Sequence, residues 1–158
     1  YPSNRANPLF DPPRAEVLAR RLGWSVDPAE RGSVGHPVCI EAFPHPAMVV
    51  LFGLDQVLPY KRGRGRSTDA RRRTFLELLD RTEAIAELRL GESARWAAIR
   101  AAVTEANRPM HLNAVEDEID AVFCAHLAWL WQHRPEALAV YGTLDDGYVV
   151  APPAPLGR

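Results

Sequence analysis

The segment EDEIDAVFCAHLAWLW, residues 116–131, begins with acidic residues and continues as an apolar run. From Ala121 onwards only His126 interrupts that run, so the pattern predicts a buried helix whose opening turns carry carboxylates. Asp117 and Asp120 are three residues apart and therefore share one face of the predicted helix. Two short carboxylates are thus expected on the same side.

A second segment, VCIEAFPHP at residues 38–46, alternates with a period of two and predicts a short strand over about residues 37–43. Glu41 lies near the carboxyl end of this strand. If the helix packs against the strand, the carboxylates of Glu41, Asp117 and Asp120 converge at a site of low dielectric. Such carboxylates repel one another unless a cation neutralises them, and Mg²⁺ or Mn²⁺ prefers oxygen ligands. The sequence therefore predicts that these three acids bind Mg²⁺ or Mn²⁺.

The composition is that of one ordinary globular domain spanning residues 1–158. The chain has 158 residues, of which 47% are hydrophobic and 25% charged, and these values argue against disorder. No apolar run approaches the roughly 20 residues that cross a bilayer, so no membrane partner is expected. Cys39 and Cys124 lie in apolar runs and resemble small buried residues of a reducing compartment. We expect a cytoplasmic protein.

Charge is unevenly distributed along the chain. Seven basic residues and a single acid lie between Lys61 and Arg73, although the net charge of the whole chain is only −1. This segment favours a phosphate-bearing partner. The alternative is a solvated, flexible loop, because Gly63 and Gly65 lie among the arginines.

The remaining patterns predict a helix-rich α/β chain with a late β-hairpin. Apolar spacing predicts helices over residues 14–22, 48–53, 69–90 and 93–107, and the hairpin is predicted from residues 137–141 and 148–150.

The chain opens at Tyr1 without a methionine and enters a segment rich in proline and asparagine. We therefore expect that the amino-terminal part of a longer protein is missing from this sequence. A partial sheet would leave an open edge, which favours association with another copy as a homo-oligomer.

Six segments together resemble a known family. They are YPSNR (1–5), RLGW (21–24), EAFPHPAMVVLFGL (41–54), LPYKR (58–62), DEIDAVFCAHLAWLW (117–131) and GYVV (147–150). They are similar to the domain-of-unknown-function family four-twenty-nine, a group of predicted nucleases with a ribonuclease-H-like (RuvC-like) fold. The resemblance implies that this chain is the carboxyl-terminal portion of such a fold, because nothing in it matches the acid-bearing first strand.

The same resemblance implies a site and an activity. Glu41 would be the central-strand acid and Asp117 with Asp120 the late-helix pair, all three as metal ligands, while Lys61 matches a basic residue of the family pattern. The expected activity is two-metal hydrolysis of phosphodiester bonds in DNA or RNA. Tyr60 would stack on a base.

Other interpretations stay open. Acids favour the first turn of a helix, which would explain Asp117 without a metal, and Glu41 would pair with an arginine of residues 61–73. The chain would then be a non-catalytic nucleic-acid-binding, protein-binding or structural domain whose acids form salt bridges. Hydrolysis of a small phosphorylated metabolite is a third possibility. His45, between two prolines, would approach the cleft or cap the turn.

Overall fold

A computed structural model describes residues 14–31 and 37–153, so the YPSNR segment lies outside the described residues. The predicted helix-rich α/β chain with a late hairpin is confirmed. Its helices are α1 (Arg14–Leu22), α2 (Pro44–Leu51), α3 (Thr68–Glu83), α4 (Ala94–Thr104) and α5 (Pro109–His133), and its strands are β1 (Ala139–Thr143) and β2 (Gly147–Ala151). Within this described part, no helix is both long and apolar enough to span a membrane.

The chain divides into two compact units. The first contains the described residues up to Phe43 together with Leu130–Pro153, and the second contains Pro44–Trp129. That residues 1–158 form a single domain stays a prediction.

In the first unit, the segment predicted as a strand over residues 37–43 is extended but does not form a continuous strand. It makes two isolated parallel bridges, Ser25↔Val38 and Ala42↔Val150. The backbone N–H of Val150 donates to the carbonyl of Glu41 at 2.7 Å. Because each neighbour pairs with this segment at one residue only, no ladder develops, and the predicted strand is wrong in extent.

The hairpin pairs β1 and β2 in antiparallel register, from Ala139↔Ala151 to Thr143↔Gly147. It begins and ends slightly later than predicted. Gly142 has φ +98°, and a Cβ at this position would lie 2.4 Å from the carbonyl oxygen of Gly147. Only glycine fits this close approach of the two strands.

Helix α5 begins at Pro109, about two turns before the predicted start near Glu116. Proline is tolerated at the first position of a helix because its missing N–H is not needed there. The first turn of α5 contains no acid. The acids at 116–120 therefore lie inside the helix, and their explanation as first-turn residues is wrong.

Helix α3 is shorter than predicted, ending at Glu83 rather than near residue 90. Two short 3-10 turns follow, and Arg89 between them has the left-handed φ of 48°. This conformation is incompatible with a continuing α-helix. Ser93 then caps α4 by accepting a hydrogen bond from the N–H of Trp96.

The core of the second unit is built from apolar faces of its helices. Phe52 of the α2 end packs edge-on against Phe123 of α5, with ring centroids 5.5 Å apart. Arg100 of α4 pairs with Asp80 of α3 at 2.7 Å. Fully buried apolar side chains come from α3 (Phe75, Leu78, Leu79), α4 (Val103) and α5 (Leu112, Ile119, Phe123, Leu127).

Removing a core side chain from α5 should therefore lower the free energy of unfolding. We expect Leu127→Ala to lower the free energy of unfolding by about 2–5 kcal/mol, because Leu127 is 0% exposed. Met110→Ala on the same helix, where the side chain is 65% exposed, should change it by less than about 0.5 kcal/mol. Urea unfolding of both variants measures the difference. Equal losses would contradict the assigned burial of α5.

Candidate functional site

The site is organised by the carboxylate of Asp120 in α5. Its Oδ1 accepts a hydrogen bond from the Tyr60 hydroxyl at 2.5 Å, and its Oδ2 accepts one from the Lys61 ammonium at 2.5 Å. Glu116, one helical turn earlier, lies 3.8 Å from the same ammonium through Oε1. Two consecutive residues of the loop before α3 thus bind both oxygens of one carboxylate.

Arg71 of α3 stabilises this arrangement through buried hydrogen bonds. Its side chain is only 3% exposed and donates to the Tyr60 carbonyl at 2.9 Å and to Glu116 Oε2 at 3.1 Å. A third hydrogen bond, at 3.0 Å, goes to Asn113 Oδ1. A buried guanidinium is costly unless its N–H groups have acceptors. These three hydrogen bonds connect α3 to α5 and to the loop before α3.

His45 in the first turn of α2 completes the cluster, with Nε2 3.1 Å from the Tyr60 hydroxyl oxygen. That hydroxyl has one proton and donates it to Asp120, so His45 acts as the donor through Nε2–H. Burial lowers the pKa of His45, the Lys61 charge lowers it further, and the charges of Asp120 and Glu116 oppose this only in part. His45 is therefore neutral at pH 7.

The Lys61 ammonium is charged throughout the neutral range. Its burial alone would lower the pKa, but the hydrogen bond with Asp120 and the charges of Asp120 and Glu116 outweigh burial and raise the pKa of Lys61 above its ordinary value. The Lys61 side chain is nevertheless 32% exposed. It is a cation that solvent and solutes can reach.

The basic loop after Lys61 contains a turn. Arg66 N–H donates to the Gly63 carbonyl at 3.3 Å, and the Arg66 guanidinium donates to the Lys61 carbonyl at 2.9 Å. Gly65 supplies the required positive φ of +76°. Arg62, Arg64 and Arg66 are all exposed, so this turn places a basic surface next to Lys61.

The structure brings together only part of the predicted set of residues. Lys61 and Asp120 meet directly, whereas Asp117 is exposed on α5 and acts on Lys61 through its charge alone. Glu41 belongs to the first unit. Its side chain is exposed, and its carbonyl holds β2. Its role beside Asp117 and Asp120 stays a prediction.

Three members of the site were not identified from sequence: Glu116, Arg71 and the hydroxyl of Tyr60. The spacing of Glu116 and Asp120 by four residues was available as a signal for a shared helix face. The proposed base stacking of Tyr60 is wrong, because its side chain is 0% exposed and packs edge-on against Phe75 at 5.1 Å.

The donor set does not fit a divalent metal ion as it is arranged. In residues 14–31 and 37–153, no group of three or more histidines, cysteines or acids is placed to hold a metal. At Asp120 both oxygens already accept hydrogen bonds, one of them from a cation. At Glu116, Oε2 accepts from Arg71. The charge of Asp120 is already compensated by Lys61.

A family model described as "Protein of unknown function (DUF429)" matches residues 8–145. The chain belongs to this family. The matched range contains every residue of the Asp120 cluster, so the cluster is part of the DUF429 domain. Comparisons with curated proteins and with solved structures gave no match.

Loss of the Asp120 charge should destabilise this DUF429 domain. We expect Asp120→Asn to lower the free energy of unfolding by about 1.5–3 kcal/mol, since it removes charged hydrogen bonds from a side chain that is only 17% exposed. Glu118→Gln, whose partner Arg95 is exposed, should change it little. Urea unfolding measures both, and an equally stable Asp120→Asn variant would contradict the described network.

The lowered pKa of His45 predicts a pH dependence. As pH falls below 6.5, the ordinary value, the unfolded chain takes up a proton at this position before the folded chain does, so stability decreases. His45→Gln should remove that part of the decrease. Nuclear magnetic resonance titration should give a midpoint below 6.5 for His45 in the folded chain. A midpoint above that value would contradict the prediction.

Proposed function

We propose that this chain is a nuclease domain that hydrolyses phosphodiester bonds of nucleic acid. The observation that carries the proposal is the Lys61 ammonium, held at 2.5 Å by Asp120 yet 32% exposed, beside a turn with three exposed arginines. The resemblance to predicted nucleases supports the same conclusion. Nucleic acid is thus the proposed partner, and association of copies stays a prediction.

Lys61 is suited to bind a phosphate. Its ammonium is charged and 32% exposed, so an incoming phosphate can reach it. Its ammonium would contact non-bridging phosphate oxygens and stabilise the negative charge that develops on them during hydrolysis. Arg62 and Arg64 would bind the neighbouring phosphates of the strand.

Asp120 positions Lys61 and links it to the buried part of the site. Tyr60 and His45 continue this chain of hydrogen bonds. Because His45 donates to Tyr60 and Tyr60 donates to Asp120, the carboxylate keeps its charge and its orientation. Metal dependence, with Glu41, Asp117 and Asp120 as ligands, remains the part of the proposal that rests on family resemblance alone.

A second candidate is a domain that binds nucleic acid without cleaving it. The observation that favours it is the pairing of acids with cations, since Asp120 is bonded to Lys61 and Glu116 to Arg71. These are the salt bridges expected of a non-catalytic domain. Both candidates share the basic surface and differ only in cleavage.

Binding should depend on salt and on the basic turn. For the double variant Arg62→Ser, Arg64→Ser we expect the slope of log affinity against log salt on labelled single-stranded DNA or RNA to fall by about 0.7 for each phosphate that the variant no longer neutralises. Arg89→Met removes an exposed arginine paired with Glu92 and serves as the control. Unchanged slopes would overturn the proposed binding surface.

Cleavage separates the two candidates. With Mn²⁺ or Mg²⁺ present we expect the wild type to cut single-stranded or branched nucleic acid, and Asp120→Asn to lose at least about a hundredfold in rate, while Glu118→Gln retains it. A chelator should abolish cleavage. Binding without cleavage by the wild type would support the second candidate. The absence of both binding and cleavage would overturn both candidates.

A further inference from the structure

We propose that Lys61 is the resident cation of Asp120 and Glu116 and that it excludes a divalent metal ion from these two carboxylates. The inference rests on their geometry alone. One further step rests on the proposed function: it gives the condition under which a metal ion would reach Asp120.

The oxygen atoms of the pair are already engaged. Asp120 accepts from Tyr60 and Lys61, both at 2.5 Å, and Glu116 Oε2 accepts from Arg71 at 3.1 Å. Glu116 Oε1 faces the Lys61 ammonium at 3.8 Å. Mg²⁺ requires ligand oxygens at roughly 2.0–2.1 Å in near-octahedral geometry. The ammonium contacts Asp120 Oδ2 and faces Glu116 Oε1, so an ion that bridged these two oxygens would have to displace it.

The charges lead to the same result. Two carboxylates face two cations, Lys61 and Arg71, so the cluster is balanced. Adding a divalent ion would leave excess positive charge in a site whose carboxylates are 17% and 18% exposed. Removing Lys61 instead leaves a net charge of −1 from two carboxylates and Arg71, so a divalent ion would leave one excess positive charge, against two in the wild type.

The two cations of the cluster differ in their ability to leave. Arg71 is 3% exposed and bonded to three acceptors, whereas Lys61 is 32% exposed. Lys61 is thus the exchangeable cation, and a phosphodiester is the anion that would draw it away from Asp120. Under the proposed function, a metal ion would reach Asp120 only after nucleic acid has bound Lys61.

The test is calorimetric titration of Mn²⁺ into the wild type, Lys61→Met, Lys61→Arg and the double variant Lys61→Met, Asp120→Asn. We expect Lys61→Met to bind one Mn²⁺ at least tenfold more tightly than the wild type, and the double variant to lose this gain. Lys61→Arg keeps a cation and should behave as the wild type. Mn²⁺ should also raise the melting temperature of Lys61→Met selectively.

Two results would overturn the inference. One is Mn²⁺ binding by the wild type that Asp120→Asn weakens, and the other is a folded Lys61→Met variant that gains no Mn²⁺ affinity. Circular dichroism establishes folding. If Lys61→Met does not fold, the Mn²⁺ affinities of the wild type and Asp120→Asn are compared instead. Equal affinities support the inference, and a weaker affinity of Asp120→Asn overturns it.

A single-stranded oligothymidylate separates this inference from the proposed function. With the oligonucleotide present, we expect Mn²⁺ to bind the wild type at least tenfold more tightly than it binds Asp120→Asn under the same conditions. If the oligonucleotide does not bind, the proposed function fails while the comparison with Lys61→Met still stands. If the oligonucleotide binds and the two proteins take up Mn²⁺ equally, the exchange of Lys61 for phosphate is overturned.

Discussion

The hydrogen bond from the Tyr60 hydroxyl to Asp120 is the interaction on which the site depends. Tyr60 is fully buried, its ring packs against Phe75, and its carbonyl is held by Arg71. The residue is therefore fixed at its backbone, its ring and its hydroxyl. Lys61 is the next residue in the chain, so the fixed backbone of Tyr60 also positions Lys61. Its ammonium donates to the second oxygen of Asp120. A flexible cation is thereby placed by a rigid neighbour.

The position of the acids within α5 explains why cations gather around them. Carboxylates in the first turn of a helix are stabilised by its positive end, and this effect fades within a turn. Glu116 and Asp120 lie beyond that range because α5 begins at Pro109. Their charges must be compensated by side chains instead. Lys61 and Arg71 provide this compensation, which couples the loop and α3 to α5.

Sequence patterns predict the pairing partners better than the pairing itself. Asp120 and Lys61 are both identifiable, one from helix spacing and one from the family pattern. Glu116 was not identified as a site residue because the predicted helix begins there, and an acid at a helix start needs no further explanation. The burial of Tyr60, which rules out base stacking, depends on Phe75 and Asp120, and both are distant in sequence. Such tertiary contacts leave no local periodicity to detect.

The same limitation applies to the segment before α2, where alternation around Glu41 predicts a strand. An alternating pattern indicates which side chains face the core. A β-strand also requires neighbouring strands whose backbones pair with it along its length. Here Ser25 and Val150 each pair at one residue. The Asp120 cluster shows the opposite case, in which the local pattern is weak and the tertiary contacts are strong. Its buried members, Tyr60 and Arg71, hold the network in place, while Lys61 is the more exposed of its two cations.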